Sequence, residues 1–142
     1  MLNRLLYTSR CAFSSTGDAL VSDVRELARL SAERNAKAQL TGALIHVRGS
    51  FVQVLEGPPA ALEQTFERIC CDFRHDEMKL VDVAPIQSRA FAGWELALLS
   101  AEQETALSLR EDLDEIRFLI GINAREAISL MRRVLREQTA VA

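Results

Sequence analysis

Two histidines and three cysteines in 142 residues leave little scope for metal chemistry. His46 and His75 are too few for a multi-histidine site, and the adjacent pair Cys70-Cys71 has no second pair to complete a structural zinc site. With Cys11 the cysteine count is odd. It reads as reduced cytosolic thiols, with Cys70 on a helix core face; redox sensing is the lesser alternative. No apolar run approaches the ~20 residues of a bilayer span. The start, Met1-Leu-Asn-Arg-Leu-Leu-Tyr7, lacks a signal-peptide layout. A cytoplasmic protein without membrane contact is expected. The net charge is only −3 and no basic cluster interleaves with aromatics, so direct nucleic-acid binding is not expected. There is no Gly-rich phosphate loop, no dinucleotide fingerprint and no Ser-His-Asp arrangement.

What is present is enough apolar residue for a real core in one domain. The most informative segment is Phe51-Val-Gln53-Val-Leu-Glu56-Gly57. Side chains alternate along a strand, so Phe51, Gln53 and Leu55 share one face. A primary amide between two large hydrophobes needs hydrogen-bond partners or it destabilises the core. The commonplace reading is a glutamine on a solvated face. The opposite face, Val52, Val54 and Glu56, is mostly apolar as well, so neither face looks solvated. Tyr7, the only tyrosine, points the same way as Leu5 and Ser9 in a second apolar strand. A buried phenol also wants a partner. The two can satisfy each other beside the polar edge of a ligand.

Along the chain, residues 3–9 read as a strand and Ser14-Ser15-Thr16-Gly17 as a loop. A helix carried by Leu20, Val21, Val24, Leu27, Ala28 and Leu30 ends near Asn35. Strands at 40–48 and 51–56 flank a tight turn at Arg48-Gly49-Ser50. Gly57-Pro58-Pro59 stops the second and opens a helix with a buried stripe of Leu62, Phe66, Ile69 and Cys70. Further strands are expected at 78–88 and 93–99. The order β-α-β-β-α-β-β is an α+β, ferredoxin-like arrangement with one added strand, its two helices on one face. Leu6, Val52 and Val54 point to the other face and need a cover. Helices near 101–109, 112–120 and 124–138 are expected to supply it. Capping boxes at Ser100 with Gln103 and at Asn123 with Glu126 support these. Ala127, Ile128, Met131, Val134 and Leu135 form the last helix's docking stripe, with Arg132, Arg133 and Arg136 largely outside it. Leu119, Ile120 and Ile122 add apolar area suited to a partner or dimer contact.

The ordered set Arg4-Leu-Leu-Tyr7-Thr-Ser9, Arg34-Asn35 with Leu40-Thr-Gly42, Phe51 to Gly57, Asp72-Phe-Arg74-His75 and Phe91-Ala-Gly-Trp94 resembles the BLUF family of blue-light sensors, over roughly residues 3–99. The resemblance implies a flavin photoreceptor of short, stand-alone type that is not an enzyme. Its photosensory domain would be residues 1–99, with a C-terminal helical extension over 100–142. It implies bound FAD, with FMN or riboflavin as alternatives, an isoalloxazine ring between the two early helices, an unidentified downstream partner protein and a homo-oligomer. Residue by residue, Asn35 would hold the pyrimidine edge, and Gln53 would be the switch beside N5 and the C4 carbonyl. Tyr7 would bond this glutamine and donate an electron to the excited flavin. Ser9 would lie near that site. Asp72, Arg74 and His75 would contact the flavin edge, Arg68 the phosphate tail, and Leu27 with Ile69 would sandwich the ring.

Other readings stand beside these. Asn35 could cap the first helix, and Arg74 and His75 could be exposed after the second. Trp94 would precede the final strand, inward or outward, and inward it would compete with Tyr7 as donor. Leu96 replaces a methionine common in the family, which puts the signal relay toward the last strand in doubt. Arg34 stands where relatives often have Asn or His. A flavin-binding redox protein, or a light-independent interaction module of the same fold, are the functional alternatives.

Overall fold

The computed structural model describes residues 1–100 and 107–140. The elements are β1 (Leu2–Cys11), α1 (Gly17–Ala38), β2 (Thr41–Val47), β3 (Ser50–Gly57), α2 (Pro59–Cys70), β4 (His75–Ile86), β5 (Ala97–Ser100), α3 (Leu107–Leu119) and α4 (Ala124–Ala140). They build one five-stranded sheet of order β4-β1-β3-β2-β5, antiparallel except for the parallel β2–β5 pair. This is the expected α+β, ferredoxin-like sheet with one strand added beside β2. Helices α1 and α2 cover one face and the α3–α4 pair covers the other.

Each face has its own apolar cluster. Toward α3 and α4, Leu6, Ala43, Ile45, Val52 and Val54 pack with Leu113, Ile116, Met131 and Val134, all buried. Toward α1 and α2, Leu5, Tyr7, Leu55 and Leu62 form one group, and Val24, Leu27, Leu44 and Phe51 another. The bare face anticipated at Leu6, Val52 and Val54 is therefore the seat of the C-terminal helices. The stripe Ala127, Ile128, Met131, Val134 and Leu135 is buried throughout, and Arg132, Arg133 and Arg136 are exposed.

Two glycines are required by geometry. A Cβ on Gly42 would lie 2.0 Å from the Val54 carbonyl oxygen, so only glycine lets β2 approach β3 there. In the two-residue hairpin turn, Arg48 and Gly49 both have positive φ, 49° and 72°. That is the backbone twist short hairpins favour.

Several boundaries differ from expectation. Helix α1 runs three residues past Asn35, because Gln39 takes the left-handed cap conformation (φ 61°) usually given to glycine. Asn35 therefore lies inside the helix and is not its cap. Strand β4 begins at His75, three residues early. Glu77 (φ 51°) sits at a bulge opposite β1, which breaks the alternation. The last strand is shorter than expected because the chain turns at residues 90–94, where Gly93 has φ 88° and the Trp94 N–H donates to the Phe91 carbonyl. Cys70 is exposed, not on the core face of α2; Thr65 takes that place. In α3 a single helix replaces the expected break between 109 and 112. The first half of the helix anticipated at 101–109, and the partner Gln103 of the Ser100 box, lie outside the described residues. At α4 the Glu126 N–H donates to Asn123 Oδ1 at 3.1 Å, as the second box requires. Ile122 is exposed.

Leu113 is fully buried between α3 and the sheet, away from the α1–α2 face. Leu113→Ala should lower unfolding free energy by ~2–5 kcal/mol in urea denaturation, the range for emptied core sites. A loss under ~1 kcal/mol would mean this layer does not hold the sheet.

Candidate functional site

The register sets the site. Tyr7 and Gln53 are direct Cα partners across β1 and β3, and Leu44 of β2 stands on the other side of Gln53. All three side chains face α1 and α2. Tyr7 and Gln53 are 2% and 4% exposed. The Tyr7 hydroxyl donates to Gln53 Oε1 in a buried hydrogen bond. Burial first, and then the nearby Asp72 and Cys70, push the Tyr7 phenol above its ordinary range. The group stays an O–H donor. Among the described residues the Gln53 side chain has this one protein partner, which leaves its amide nitrogen for something else.

In front of the pair is a cleft between α1 and α2, whose space counted together with its open mouth is about 520 Å³. Of the residues the sequence singled out, it is lined by Tyr7, Leu27, Asn35, Gln53, Arg68, Ile69, Asp72, Arg74 and His75. Arg34, noted as a departure from relatives, also lines it. Ser31, Leu44, Phe51 and Thr65 were not singled out as site residues. Helical spacing could have found two of them. Ser31 falls between Leu27 and Asn35 on one helix line, and Thr65 is one turn before Ile69. Phe51 shares the Gln53 face. Leu44 needs the strand register, which the sequence does not print.

Asn35, buried inside α1, donates from Nδ2 to the Glu95 carbonyl at 2.7 Å. This holds the residue 95 segment to the cavity floor and leaves Oδ1 as an acceptor. His75, 7% exposed, meets Ser9 Oγ at 2.9 Å through Nδ1. Ser9 thus touches the site through His75 and does not line the cleft. The His75 ring stands edge-on to Phe51, at 5.8 Å between centroids. Burial, opposed by Asp72, holds the imidazole below its ordinary range. Asp72 accepts from the Arg74 backbone N–H and Nε at 2.9 Å each. Its own burial would raise its pKa, but these bonds outweigh that and keep the carboxyl below the usual range. Arg74 and His75 are therefore built into the cleft, not exposed beyond a helix end.

Two residues lie apart. Trp94, 37% exposed, does not line the cleft but a groove with Phe91, Arg132, Leu135 and Arg136, against α4. The structure places it outward. Leu96 is also outside the cleft but packs, partly buried, on Leu27, Leu44 and Phe51, which line it.

The donor set suits a flat, two-faced ring with a polar edge. Leu27 and Ile69 offer apolar walls from opposite helices. Gln53 offers an amide N–H, Asn35 a carbonyl oxygen, and Arg34 and Arg68 carry positive charge at the mouth. Among the described residues no cluster of three or more metal-ligating side chains occurs, and no helix is long and apolar enough to cross a membrane.

Comparison with known proteins gives a family model match, BLUF, "Sensors of blue-light using FAD", over residues 2–97. The chain is 34% identical over 122 residues to photoactivated adenylate cyclase subunit beta of Euglena gracilis, covering 73% of this chain and 14% of that protein. It is 33% identical over 98 residues to the blue light- and temperature-regulated antirepressor BluF of Escherichia coli (strain K12), covering 68% and 23%. The dark-state structure of BlrB, a BLUF protein, superposes with a TM-score of 0.77 at 28% identity, covering 96% of both chains. The chain thus spans a small part of the cyclase subunit and nearly all of BlrB.

An imidazole pKa lowered in the fold means that the unfolded chain binds protons more readily there. His75 therefore contributes stability that is complete above the ordinary value of about 6.5 and is lost as pH falls through the lower folded value. Asp72 acts in a separate window, below ~4. Thermal melts should show wild type losing Tm as pH falls below about 6.5 more steeply than His75→Gln. Parallel slopes would refute the assignment.

Proposed function

This chain belongs to the BLUF family, the sensors of blue light using FAD, and on that premise we propose that the α1–α2 cleft holds the flavin ring with Tyr7 and Gln53 as its reporters. The observation that carries this reading is the buried Tyr7–Gln53 hydrogen bond, with the free end of the amide left for the cleft. Bound FAD supplies a chromophore for blue light and, once excited, an electron acceptor.

The rest is done by the protein. Tyr7, kept protonated by burial, would release its proton toward Gln53 Oε1 as it gave up an electron, and both would return to Tyr7 as the amide rearranged. An amide has a donor end and an acceptor end, so rotation or tautomerisation of Gln53 exchanges them toward Tyr7 and the ring. A stronger bond to the ring carbonyl lowers the excitation energy, which moves absorption to longer wavelength. No net bond is made, so the change reverts in darkness, and the chain performs no turnover. In this reading Asn35 holds the ring's imide edge, Leu27 and Ile69 sandwich it, and Asp72, Arg74, His75 and Ser9 shape its flank. Arg68 meets the phosphates, FAD being the form used. Trp94, on the α4 side, is not placed to compete with Tyr7, and Leu96 supports the wall.

Residues 1–99 act as the photosensory unit and 100–142 as the helical extension that carries output. The signal is association: a downstream protein must bind the lit and dark states differently. The relatives include a photoactivated adenylate cyclase subunit and a blue light- and temperature-regulated antirepressor, and a protein partner of this kind fits here. Phe118 and Ile122, exposed at the end of α3 and just beyond it, suit a homo-oligomer contact.

An absorption spectrum before and after blue light is the test. A flavin spectrum with a small, reversible red shift is expected. Gln53→Leu, which has neither end of the amide, should keep flavin and lose the shift. Tyr7→Phe should abolish the normal photocycle; a Tyr7→Phe protein cycling like wild type would refute the donor role.

A further inference from the structure

Glu56 is almost wholly buried (1% exposed) and does not line the cleft. It lies on β3 three residues beyond Gln53, about 10 Å along the strand, and on the opposite face of the sheet. Its Oε2 accepts from the Ala90 N–H at 2.6 Å. Its Oε1 accepts from the Phe91 N–H and from Thr41 Oγ1, each at 3.0 Å. Arg89 completes the clasp from the same segment. Its Nη1 donates to the Glu56 carbonyl and to Thr41 Oγ1, each at 2.9 Å, and its Nη2 to the Gln39 carbonyl at 2.8 Å.

The clasped segment has two further attachments. Phe91 is buried in the same cluster as Met131, Val134 and Leu135 of α4, and Ala90, Phe91 and Trp94 form one wall of the groove whose other wall is α4. At its far end the Glu95 carbonyl accepts from Asn35, in the cleft. The segment 89–95 is thus bonded to the switch strand at one end, to the cleft floor at the other, and packed on the output helix between them.

We propose that Glu56 is a positioning residue for signal output: it transfers displacement of β3 at Gln53 to the 89–91 backbone and through Phe91 to α4. The physical argument is stiffness. Two backbone N–H groups and a hydroxyl converge on one carboxylate in a dry site, where such bonds are strong and have no water to exchange with. A strand shift that would be absorbed by an apolar contact moves this segment instead. The route runs through the side of the sheet facing α4 and does not require Leu96 or rotation of Trp94.

The proposal rests on the photoreceptor reading, and the two are tested by different signals. Full-length protein with FAD is measured in the dark and under blue light, by absorption for the switch and by amide hydrogen exchange over residues 124–138 for the output. Wild type should show the red shift and a light-minus-dark exchange difference in α4. Glu56→Gln presents an N–H₂ to one of the two backbone donors and so opens the clasp. It should keep the red shift and show a severalfold smaller exchange difference. Arg89→Gln, which leaves the carboxylate bonds intact, should reduce the difference less, and serves alone if Glu56→Gln does not fold. A full exchange difference in either folded Glu56→Gln or, failing that, Arg89→Gln overturns the proposal, as does a wild type that shifts in colour with no change in α4. A wild type with no red shift overturns the photoreceptor reading beneath it.

Discussion

The pairing of β1 with β3 in one register is the constraint on which the molecule depends. It sets Tyr7 opposite Gln53 and puts both under α1 and α2. A slip of one residue would turn Gln53 toward α3 and α4 and Val52 toward the cleft. Such a slip is strongly opposed, because both faces of β3 are buried and each has its own apolar cluster. The hydrogen bond between phenol and amide is therefore a product of sheet register, held by apolar packing that has nothing to do with flavin. Irregularities in the β1–β4 ladder flank Tyr7 on both sides. The strand beside the pair bends without disturbing the pair itself.

Two-sided burial also makes the sheet a partition. On one side is a polar-edged cleft, on the other an apolar seat for a helical hairpin. Tyr7 and Gln53 remain uncharged, as does His75 in the neutral range, while Asp72 and Arg74 neutralise each other at the rim. The cleft presents neutral donors and acceptors around the reporting pair, and the exposed Arg34 and Arg68, which form no ion pair among the described residues, add positive charge to its lining. Neutral partners can exchange donor and acceptor roles without moving a charge through a low-dielectric core, which would cost far more than a hydrogen bond.

Much of this was legible because it follows from local rules. A glutamine flanked by Phe51 and Leu55 declared itself as buried and partnered, and the apolar underside at Leu6, Val52 and Val54 demanded a cover that the Ala127–Leu135 stripe could supply. The misses share a cause: in each a tertiary contact or an unusual backbone state overrode propensity. Gln39 adopted a left-handed cap with no glycine to signal it. Glu77 took a positive φ in a bulge and hid the first turn of pairing in β4. Cys70 looked like a core residue by spacing, but α2 ends there and Thr65 faces the cleft. Leu44 enters the site only through strand order, and Asn35 chose the Glu95 carbonyl, 60 residues away, over a local cap. Trp94 was undecidable from the sequence because both sides of its turn offer apolar company.

The size of the switch limits how its signal can travel. Exchanging the ends of one amide alters two or three hydrogen bonds, each worth about 0.5–1.5 kcal/mol net. The differential free energy available to a partner is then a few kcal/mol, the scale of typical couplings of ~1–3 kcal/mol, which change affinity about 5–150-fold. That is enough for regulation only if little of it is dissipated on the way. A route through soft, rotatable side chains such as Leu96 would spread the displacement over many small adjustments of packing. A strand whose opposite face carries a buried carboxylate bonded to backbone keeps it in one coordinate, since neither the strand nor the three donors can move without the other. On this view a buried polar cluster stands outside the cleft because a weak signal needs a stiff lever, and β3 carries both Gln53 and Glu56.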